Sequence, residues 1–355
     1  MFGGYAVALA TSMDTIFGGK AGGVFFCASD IGWVVGHSYI VYAPLLAGMA
    51  TIVYEGLPTW PDCGVWWKIV EKYQVSRMFS APTAIRVLKK FPTAEIRKHD
   101  LSSLEVLYLA GEPLDEPTAS WVSNTLDVPV IDNYWQTESG VPMYGYNVQL
   151  LNEVTGEPCG VNEKGMLVVE GPLPPGCIQT IWGDDDRFVK TYWSLFSRPV
   201  YATFDWGIRD ADGYHFILGR TDDVINVAGH RLGTREIEES ISSHPGVAEV
   251  AVVGVKDALK GQVAVAFVIP KESDSLEDRE VAHLQEKAIM ALVDSQIGNF
   301  GRPAHVWFVS QLPKTRSGKM LRRTIQAICE GRDPGDLTTI DDPASLDQIR
   351  QAMEE

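Results

Sequence analysis

Four short stretches of this sequence combine residue types that bind phosphates, hydroxyl groups or a cation. The first follows an apolar run and contains Gly111, Glu112 and Pro113. The second follows another apolar run and contains Asp132, Asn133, Tyr134, Trp135, Gln136, Thr137 and Glu138. Glycine lets the backbone approach a flat base closely, and a threonine hydroxyl beside a carboxylate suits a phosphate and its Mg²⁺. Both stretches are therefore candidate parts of a nucleotide site.

The other two stretches lie in the second half of the chain. Asp205 is on a strand-like run before an Asp-Ala-Asp-Gly turn, and Arg220 follows that hairpin. A strand carboxylate can accept both hydroxyl groups of a ribose, and a guanidinium suits a phosphate. The fourth stretch is a basic loop, 312–319, that ends in Lys319 and opens a predicted helix. It is not a Walker loop, because the glycine-rich run and the following Ser or Thr are absent.

Each stretch also has a purely structural explanation. The Gly-Glu-Pro sequence is a common turn, aromatic residues can anchor a core, and the basic loop can be the solvated start of a helix. The acids of the Asp-Ala-Asp-Gly turn, Asp210 and Asp212, are expected to serve the turn itself. The functional interpretation therefore depends on the combination and order of the four stretches.

The elements that would position the first two stretches alternate between strand and helix. Strand-like apolar runs occupy 24–28, 50–54, 77–80, 106–110 and 128–132. Between them, 66–73 and 83–91 carry apolar residues at helical spacing. Strands separated by crossover helices predict a parallel α/β subdomain, whose ligands bind at the carboxyl ends of the strands.

The pattern changes twice further along the chain. After residue 140, short strands between Gly, Pro and Asn clusters predict a small antiparallel β-barrel-like subdomain. Beyond 221, strands and helices predict an α+β domain, followed by an acidic, poorly periodic tail. The predicted class is α/β plus β plus α+β, with boundaries at 1–140, 141–220, 221–332 and 333–355.

Composition excludes several classes of partner. The formal charge of −16 and the pI near 4.9 disfavour nucleic acid and anionic membranes. Five cysteines, odd in number and far apart, suit reduced thiols better than a disulfide framework or paired zinc knuckles. No signal peptide is apparent, and the most apolar run, 40–53, is too short to cross a bilayer and is interrupted by Pro44. We therefore expect a cytoplasmic protein.

Taken in order, the four stretches resemble the adenylate-forming superfamily. The resemblance covers essentially the whole chain, including the motif at 30–38, Asp-Ile-Gly-Trp-Val-Val-Gly-His-Ser. It is closest to the AMP-forming acyl-CoA synthetases of the acetyl- and propionyl-CoA synthetase branch, the bacterial propionyl-CoA synthetases being nearest, and corresponds to their C-terminal part. This resemblance implies activation of a short acid through acyl-AMP and transfer to CoA, with ATP, CoA and Mg²⁺ required.

The resemblance also implies roles for residues of the four stretches. Gly111, Glu112 and Pro113 match the adenine-lining segment, and 132–137 the rest of the nucleotide site. Thr137 and Glu138 match positions that serve the α-phosphate and Mg²⁺. Asp205 would hold the ribose, Arg220 would lie near ribose and phosphate, and Lys319 and Arg231 would assist adenylation. Lys319 is also a plausible target of a lysine acetyltransferase and a deacetylase, because acetylation removes its charge.

Further positions follow from the same resemblance. Asp222 matches the hinge of a mobile C-terminal domain, and the CoA channel would include Ala228, Gly229 and His230. The acyl pocket would consist of Trp33, Val34, Val35, Ala110 and Trp135. An indole at 135 excludes longer acids, and an alanine at 110, where acetate-using relatives commonly carry valine, predicts that propionate is preferred over acetate.

The chain departs from the family pattern in two places. The Ser/Thr/Gly-rich loop that grips the β- and γ-phosphates, expected just before Gly3, is absent, and about twenty residues are missing after Gly140, more than an ordinary connection. The alternative function is therefore a non-catalytic fragment that binds AMP or acyl-AMP. A dinucleotide-dependent oxidoreductase would share the sheet and an acidic ribose ligand, but no Gly-x-Gly-x-x-Gly opens a helix here.

Overall fold

A computed structural model describes residues 2–112, 114–140, 144–221, 223–227, 230–271, 278–316 and 318–354. Contacts divide the chain into two compact units, the first made of 1–149 and 169–202, the second of 150–168 and 203–355. The four segments expected from the sequence are thus not the units that the contacts define, and their boundaries remain predictions. Among the described residues, no helix combines the length and apolar composition needed to cross a bilayer.

The first unit contains the predicted parallel sheet. Its strands are β1 (Val24–Cys27), β2 (Ala50–Thr51), β3 (Arg77–Ser80), β4 (Val106–Ala110) and β5 (Val130–Asn133), in the order β2-β1-β3-β4-β5 with every pairing parallel. Its helices are α1 (Phe2–Thr15), α2 (Val34–Gly36), a π-helix (His37–Tyr42), α3 (Ala43–Leu46), α4 (Val65–Tyr73), α5 (Pro82–Lys89), α6 (Ala94–Arg97), α7 (Glu116–Leu126) and, farther along the chain, α8 (Asp185–Tyr192). The parallel α/β prediction is confirmed.

Strand β4 lies between two apolar clusters because alternate side chains point to opposite faces of a sheet. Leu107 and Leu109 pack on one face with residues of α4, α5 and α7. Tyr108 and Ala110 pack on the other with residues of α1 and the π-helix. All five residues of β4 are buried, as expected for a strand covered on both faces.

A four-stranded sheet follows in the order β6-β7-β8-β9, with β6 Asn147–Leu151, β7 Gly165–Glu170, β8 Val200–Arg209 and β9 His215–Arg220. Strands β8 and β9 run antiparallel. The division between the units falls within β6, β7 and β8. Helix α8 lies in the segment for which only β structure was predicted. It was missed because its sequence is short and acidic and none of its residues is buried.

The second unit contains a further sheet with helices, and the α+β domain assigned to 221–332 remains a prediction. It adds β10 (Val224–Val227), β11 (His230–Gly233), β12 (Val247–Asp257), β13 (Gly261–Pro270) and β14 (His305–Phe308), in the order β11-β10-β13-β12, with β14 parallel to β13. Its helices are α9 (Thr234–Ser242), α10 (Arg279–Gln296), α11 (Arg322–Cys329) and α12 (Ala344–Glu354). Asp278 caps α10 by accepting from the Glu280 N–H at 2.8 Å.

The tail at 333–355, predicted to be acidic and poorly periodic, contains a helix. This helix is α12, whose Leu346 and Ile349 are buried, and Ile349 packs in one apolar cluster with β12, β13 and α11. The tail prediction gave too much weight to charge, because the acids of α12 occupy its exposed face. Helix α11 begins at Arg322, so the basic loop does not open directly into a helix as predicted.

Candidate active site

The first two functional stretches leave the parallel sheet at the same edge. Leu109 pairs with Asp132 and Ala110 pairs with Asn133, so β4 and β5 end side by side. Gly111 and Tyr134 each come directly after one of these strands. The structure therefore brings together two stretches that begin 21 positions apart in the sequence, at Gly111 and Asp132, at the edge where ligands of parallel sheets bind.

The turn after β4 requires glycine at position 111, and two side chains of α5 bind the neighbouring Glu112. Gly111 has φ of +99°, and a Cβ there would meet no atom within 4 Å, so conformation and not crowding requires glycine. The Glu112 carboxylate accepts a hydrogen bond from the Thr83 hydroxyl and lies 3.1 Å from Nη1 of Arg86. Arg86 also pairs with Asp115, the N-cap of α7, at 2.8 Å. Sequence reasoning missed Thr83 and Arg86, which fix the conformation of the turn; Pro113 lies outside the described residues.

The stretch after β5 forms a closed loop. The Gln136 N–H donates to the Gly140 carbonyl at 3.3 Å and the Gly140 N–H donates back at 2.8 Å. Within this loop Gln136 is buried, Thr137 is exposed and Glu138 is half-buried. The Glu138 carbonyl accepts from the Ile178 N–H at 2.7 Å, which fixes the backbone and leaves the carboxylate for other contacts. On β5, Asp132 is exposed and Asn133 is half-buried.

Three of the five predicted acyl-pocket residues share one apolar cluster. Ala110 is buried there, and Val35 and Trp135 pack against the cluster from its border. The Trp135 ring meets the buried Tyr39 ring edge to face at a centroid distance of 5.4 Å. The Tyr39 hydroxyl is hydrogen-bonded to Ser12 at 2.9 Å, and burial raises the Tyr39 pKa. This aromatic support for Trp135 was not predicted.

The other two predicted pocket residues lie at the start of the helical segment that contains Val35. Trp33 is the N-cap of α2 and is exposed, and Val34 is half-buried. Neither belongs to the apolar cluster around Ala110. Their part in an acyl pocket remains a prediction.

In the second unit, Asp205 and Arg220 are cross-strand partners. Asp205 on β8 is 6% exposed, and its Oδ1 lies 3.7 Å from Nη1 of Arg220, which is itself 44% exposed at the side chain. The Arg220 guanidinium also donates to the Thr203 carbonyl at 3.3 Å. The structure thus places a carboxylate and a guanidinium, predicted as ribose and phosphate ligands, next to each other at one end of a hairpin.

The backbone around Asp205 is strained and closely held. Phe204 has φ of +60°, a region that aromatic residues rarely adopt, and its carbonyl accepts from the Thr221 N–H at 2.8 Å. The Thr203 hydroxyl donates to the Leu167 carbonyl at 2.7 Å and accepts from the Asp205 N–H at 3.2 Å. Such strain concentrates at functional sites. No local sequence signal identified Thr203 or Phe204.

Of the two acids of the neighbouring turn, Asp210 has the structural role expected for it. The Asp210 carboxylate accepts from the N–H groups of Asp212 at 3.0 Å and Tyr214 at 2.8 Å. Gly213 has φ of +91°, which the turn requires.

Lys319 lies in a small bridged loop. Residues 314 and 320 form an antiparallel bridge, the Thr315 N–H donates to the Lys319 carbonyl at 2.9 Å, and the Lys319 N–H donates to the Thr315 hydroxyl oxygen at 3.1 Å. Gly318 has φ of +87°, and the Lys319 side chain is exposed. An exposed ammonium on a hydrogen-bonded backbone suits contact with an anionic ligand.

Several predicted residues fall where the structure gives no description. Asp222, Ala228 and Gly229 lie outside the described residues. His230 and Arg231 pair with Val227 and Asn226 in the β10–β11 hairpin, and their side chains lie outside the described part. Within the described chain, no three His, Cys, Asp or Glu side chains form a cluster that could hold a metal ion.

Comparison with known families identifies the class of protein that this fold and these residues define. Residues 3–146 match the family of AMP-binding enzymes, and residues 236–319 match the AMP-binding enzyme C-terminal domain. The first match contains both stretches at the sheet edge, and the second ends at Lys319. The chain belongs to the AMP-binding enzymes.

Individual relatives have names that are more specific than that of the family. The chain is 93% identical to the propionate–CoA ligase of Escherichia coli K12 and 86% identical to that of Salmonella typhimurium LT2, in each case over 99% of this chain. It spans 60% of the length of each of these relatives. Both alignments extend over 374 positions although this chain has 355 residues, so the relatives have residues without a counterpart here.

A solved structure has the same fold. The anthranilate CoA ligase AuaEII, determined in complex with anthranoyl-AMP, superposes with a TM-score of 0.77 over 92% of this chain and 63% of its own, at 22% identity. At this identity the likeness establishes the fold alone.

Proposed function

We propose that the protein containing this chain joins a short carboxylic acid to CoA in two steps, with propionate preferred over acetate. In the first, acid and ATP give acyl-AMP and pyrophosphate. In the second, the CoA thiol attacks the acyl carbon, and acyl-CoA and AMP are formed. The observation that carries this proposal is the 93% identity to a propionate–CoA ligase across nearly the whole chain.

Each unit, taken by itself, carries groups that suit part of an adenylate. In the first unit, Gly111 leaves open space over the backbone for a flat base, and Thr137 presents an exposed hydroxyl for the α-phosphate. In the second, the buried Asp205 carboxylate is suited to the two ribose hydroxyls, because a charged acceptor strengthens such hydrogen bonds. Arg220 beside it would face the phosphate.

Mg²⁺ fits the residues of this site only together with the nucleotide. Mg²⁺ in nucleotide sites is commonly bound through one or two carboxylates and the substrate phosphates, so a cluster of protein ligands is not needed. The Glu138 carboxylate, half-buried and next to Thr137, supplies such a single ligand. When bound, the ion would neutralise phosphate charge.

The roles proposed for the C-terminal residues rest on the family resemblance. Lys319 would place its ammonium on the acid carboxylate and α-phosphate during adenylation, assisted by Arg231. Rotation about Asp222 would then bring Ala228, Gly229 and His230 to the pantetheine of CoA. The exposure of Lys319 supports its modification by a lysine acetyltransferase and its restoration by a deacetylase.

The two steps can be measured separately. With ATP, Mg²⁺ and propionate the protein is expected to release pyrophosphate, and with CoA added it should form AMP and propionyl-CoA in equal amounts. Omission of propionate is the control, because pyrophosphate release without it would indicate simple ATP hydrolysis. Binding of AMP without pyrophosphate release or thioester formation would contradict the proposal and favour the alternative of a non-catalytic, AMP-binding fragment.

Asp205→Asn provides a test of the ribose assignment. Loss of the negative charge weakens two charge-assisted hydrogen bonds, and we expect AMP to bind about 10- to 100-fold more weakly. Titration calorimetry with AMP would measure the change. Asp212→Asn is the matched control, because that exposed acid lies in the turn of the same hairpin. Equal affinities of the two variants would refute the assignment.

A further inference from the structure

The loop that carries Lys319 is bound to a segment beyond the matched family domain, which ends at residue 319. The Arg316 N–H donates to the Thr339 carbonyl at 3.1 Å, and the Asp341 N–H donates to the Lys314 carbonyl at 2.9 Å. Between these two hydrogen bonds, Thr315 and Ile340 form an antiparallel bridge. We call 314–316 with 318–320 the lysine loop, and 339–341 the C-terminal segment.

The residue at the bridge, Thr315, is hydrogen-bonded directly to Lys319. Thr315, which is 7% exposed, is bonded to Lys319 twice, through its own N–H and through its hydroxyl oxygen. Ile340, opposite Thr315, is 5% exposed. A displacement of the C-terminal segment would therefore be transmitted to Lys319 through one buried residue.

The C-terminal segment is itself well fixed. The Ile340 N–H donates to the Leu337 carbonyl at 3.1 Å, and helix α12 follows the segment with Leu346 and Ile349 buried. On the lysine loop, the Lys314 ammonium forms an ion pair with Glu249 of β12. The lysine loop is thus attached to the sheet by this ion pair and by Met320, which packs against the apolar cluster of β12 and β13, and to the C-terminal segment along its backbone.

We propose that the C-terminal segment is a positioning element for Lys319 in adenylate formation. The inference rests on the proposed function. An exposed lysine on a free loop would sample many positions, whereas catalysis by a charged group requires it close to one position when the substrate is bound. The two backbone hydrogen bonds and the bridge restrict the loop, so the lysine needs to order only its side chain.

Asp341→Pro tests the proposal because it removes the N–H that binds the Lys314 carbonyl. We expect pyrophosphate release from ATP and propionate to fall about 10- to 100-fold, since small misplacements of catalytic groups have effects of this size. Conversion of supplied propionyl-AMP to propionyl-CoA should change less than about twofold, because Lys319 is not needed for that step. Asp341→Ala is the matched control: it removes the same exposed side chain but keeps the N–H.

Two further variants separate positioning from general damage. Gln348→Ala removes a contact of α12 with Ser310 and leaves the lysine loop untouched, so both steps should keep their rates. Ile340→Ala keeps both backbone hydrogen bonds, so we expect a smaller loss of pyrophosphate release and no change in thioester formation. This variant also tests the proposal if Asp341→Pro does not fold. An equal loss of both steps, or no loss in either, would overturn the proposal. If the unmodified protein performs neither step, the proposed function fails instead.

Discussion

Lys319→Ala is expected to lower pyrophosphate release by about 100- to 1,000-fold, while supplied propionyl-AMP is still converted to propionyl-CoA. In adenylation, negative charge develops where the carboxylate attacks the α-phosphate, and a lysine ammonium would offset that charge. When the CoA thiol attacks the acyl carbon, AMP leaves with the electron pair of the cleaved anhydride bond, and the family resemblance assigns that step to the region of Gly229 and not to Lys319. The exposed side chain of Lys319 also means that alanine leaves no buried cavity, so stability should not change.

The measurement compares pyrophosphate release with thioester formation in the same preparation. Lys287→Ala, at another exposed lysine of the second unit, controls for the loss of one positive charge. Acetylated Lys319 should behave as the alanine variant does, because it lacks the charge, and treatment with a deacetylase should restore activity. Equal loss of both steps in Lys319→Ala, or full activity of the acetylated protein, would contradict these roles.

The parallel sheet was predictable because its sequence signal is local. Each residue of β4 is apolar and buried, and such a run between helical patterns is typical of a strand covered on both faces. The position of the first two functional stretches followed from the same rule, since parallel strands place their carboxyl ends at one edge. This part of the site could be inferred without knowledge of any contact.

The contacts that fix the site were not predictable in this way. Glu112 is held by Thr83 and Arg86, which are 29 and 26 residues away in the sequence, and such pairs leave no local pattern. The Asp205 to Arg220 pairing depends on the register of β8 and β9, which shifts at a bulge after Trp206. Register is set by packing of the whole sheet and not by the spacing of two residues.

The helix in the C-terminal tail was missed for a different reason. Leu346, Ile349 and Met353 follow helical spacing and lie in or beside the buried core of the second unit. Their spacing was present in the sequence, but the segment was interpreted as an acidic, poorly periodic tail. The bridge at Ile340 was beyond sequence reasoning, because it depends on a backbone pairing with Thr315, 25 residues earlier.

Ala110→Val is expected to reduce the preference for propionate over acetate. Ala110 ends β4 in the apolar cluster that Val35 and Trp135 border, so two added methyl groups would enter the space proposed for the acyl chain. Burial of the extra methyl of propionate contributes roughly 0.8 kcal/mol by transfer and about 1–3 kcal/mol with good packing. We therefore expect the unmodified protein to prefer propionate by about 10- to 200-fold, and valine to remove most of that preference.

Trp135→Gly should enlarge the proposed acyl pocket, whereas Ala110→Val narrows it. The indole is held edge to face against Tyr39, which is buried and hydrogen-bonded to Ser12, so the ring is a rigid boundary and not a movable one. Removing it opens a cavity of side-chain size, and acids longer than propionate should become substrates. The cost is lower stability, about 3–5 kcal/mol for a fully buried tryptophan and less for this half-buried one.

Values of kcat/KM for acetate, propionate and butyrate in the adenylation step would decide between pocket shape and other sources of selectivity. Valine at 110 also crowds a packed cluster, so a general loss of activity is possible on stability grounds, and only the ratio between acids is diagnostic. Ala110→Gly is the control, because it enlarges the space that valine would fill. It should not reduce the ratio of kcat/KM for propionate to that for acetate. If Ala110→Val leaves that ratio unchanged while Trp135→Gly still admits butyrate, Trp135 limits chain length but Ala110 does not select propionate. If neither variant changes the order of the three acids, selection comes from residues outside this cluster.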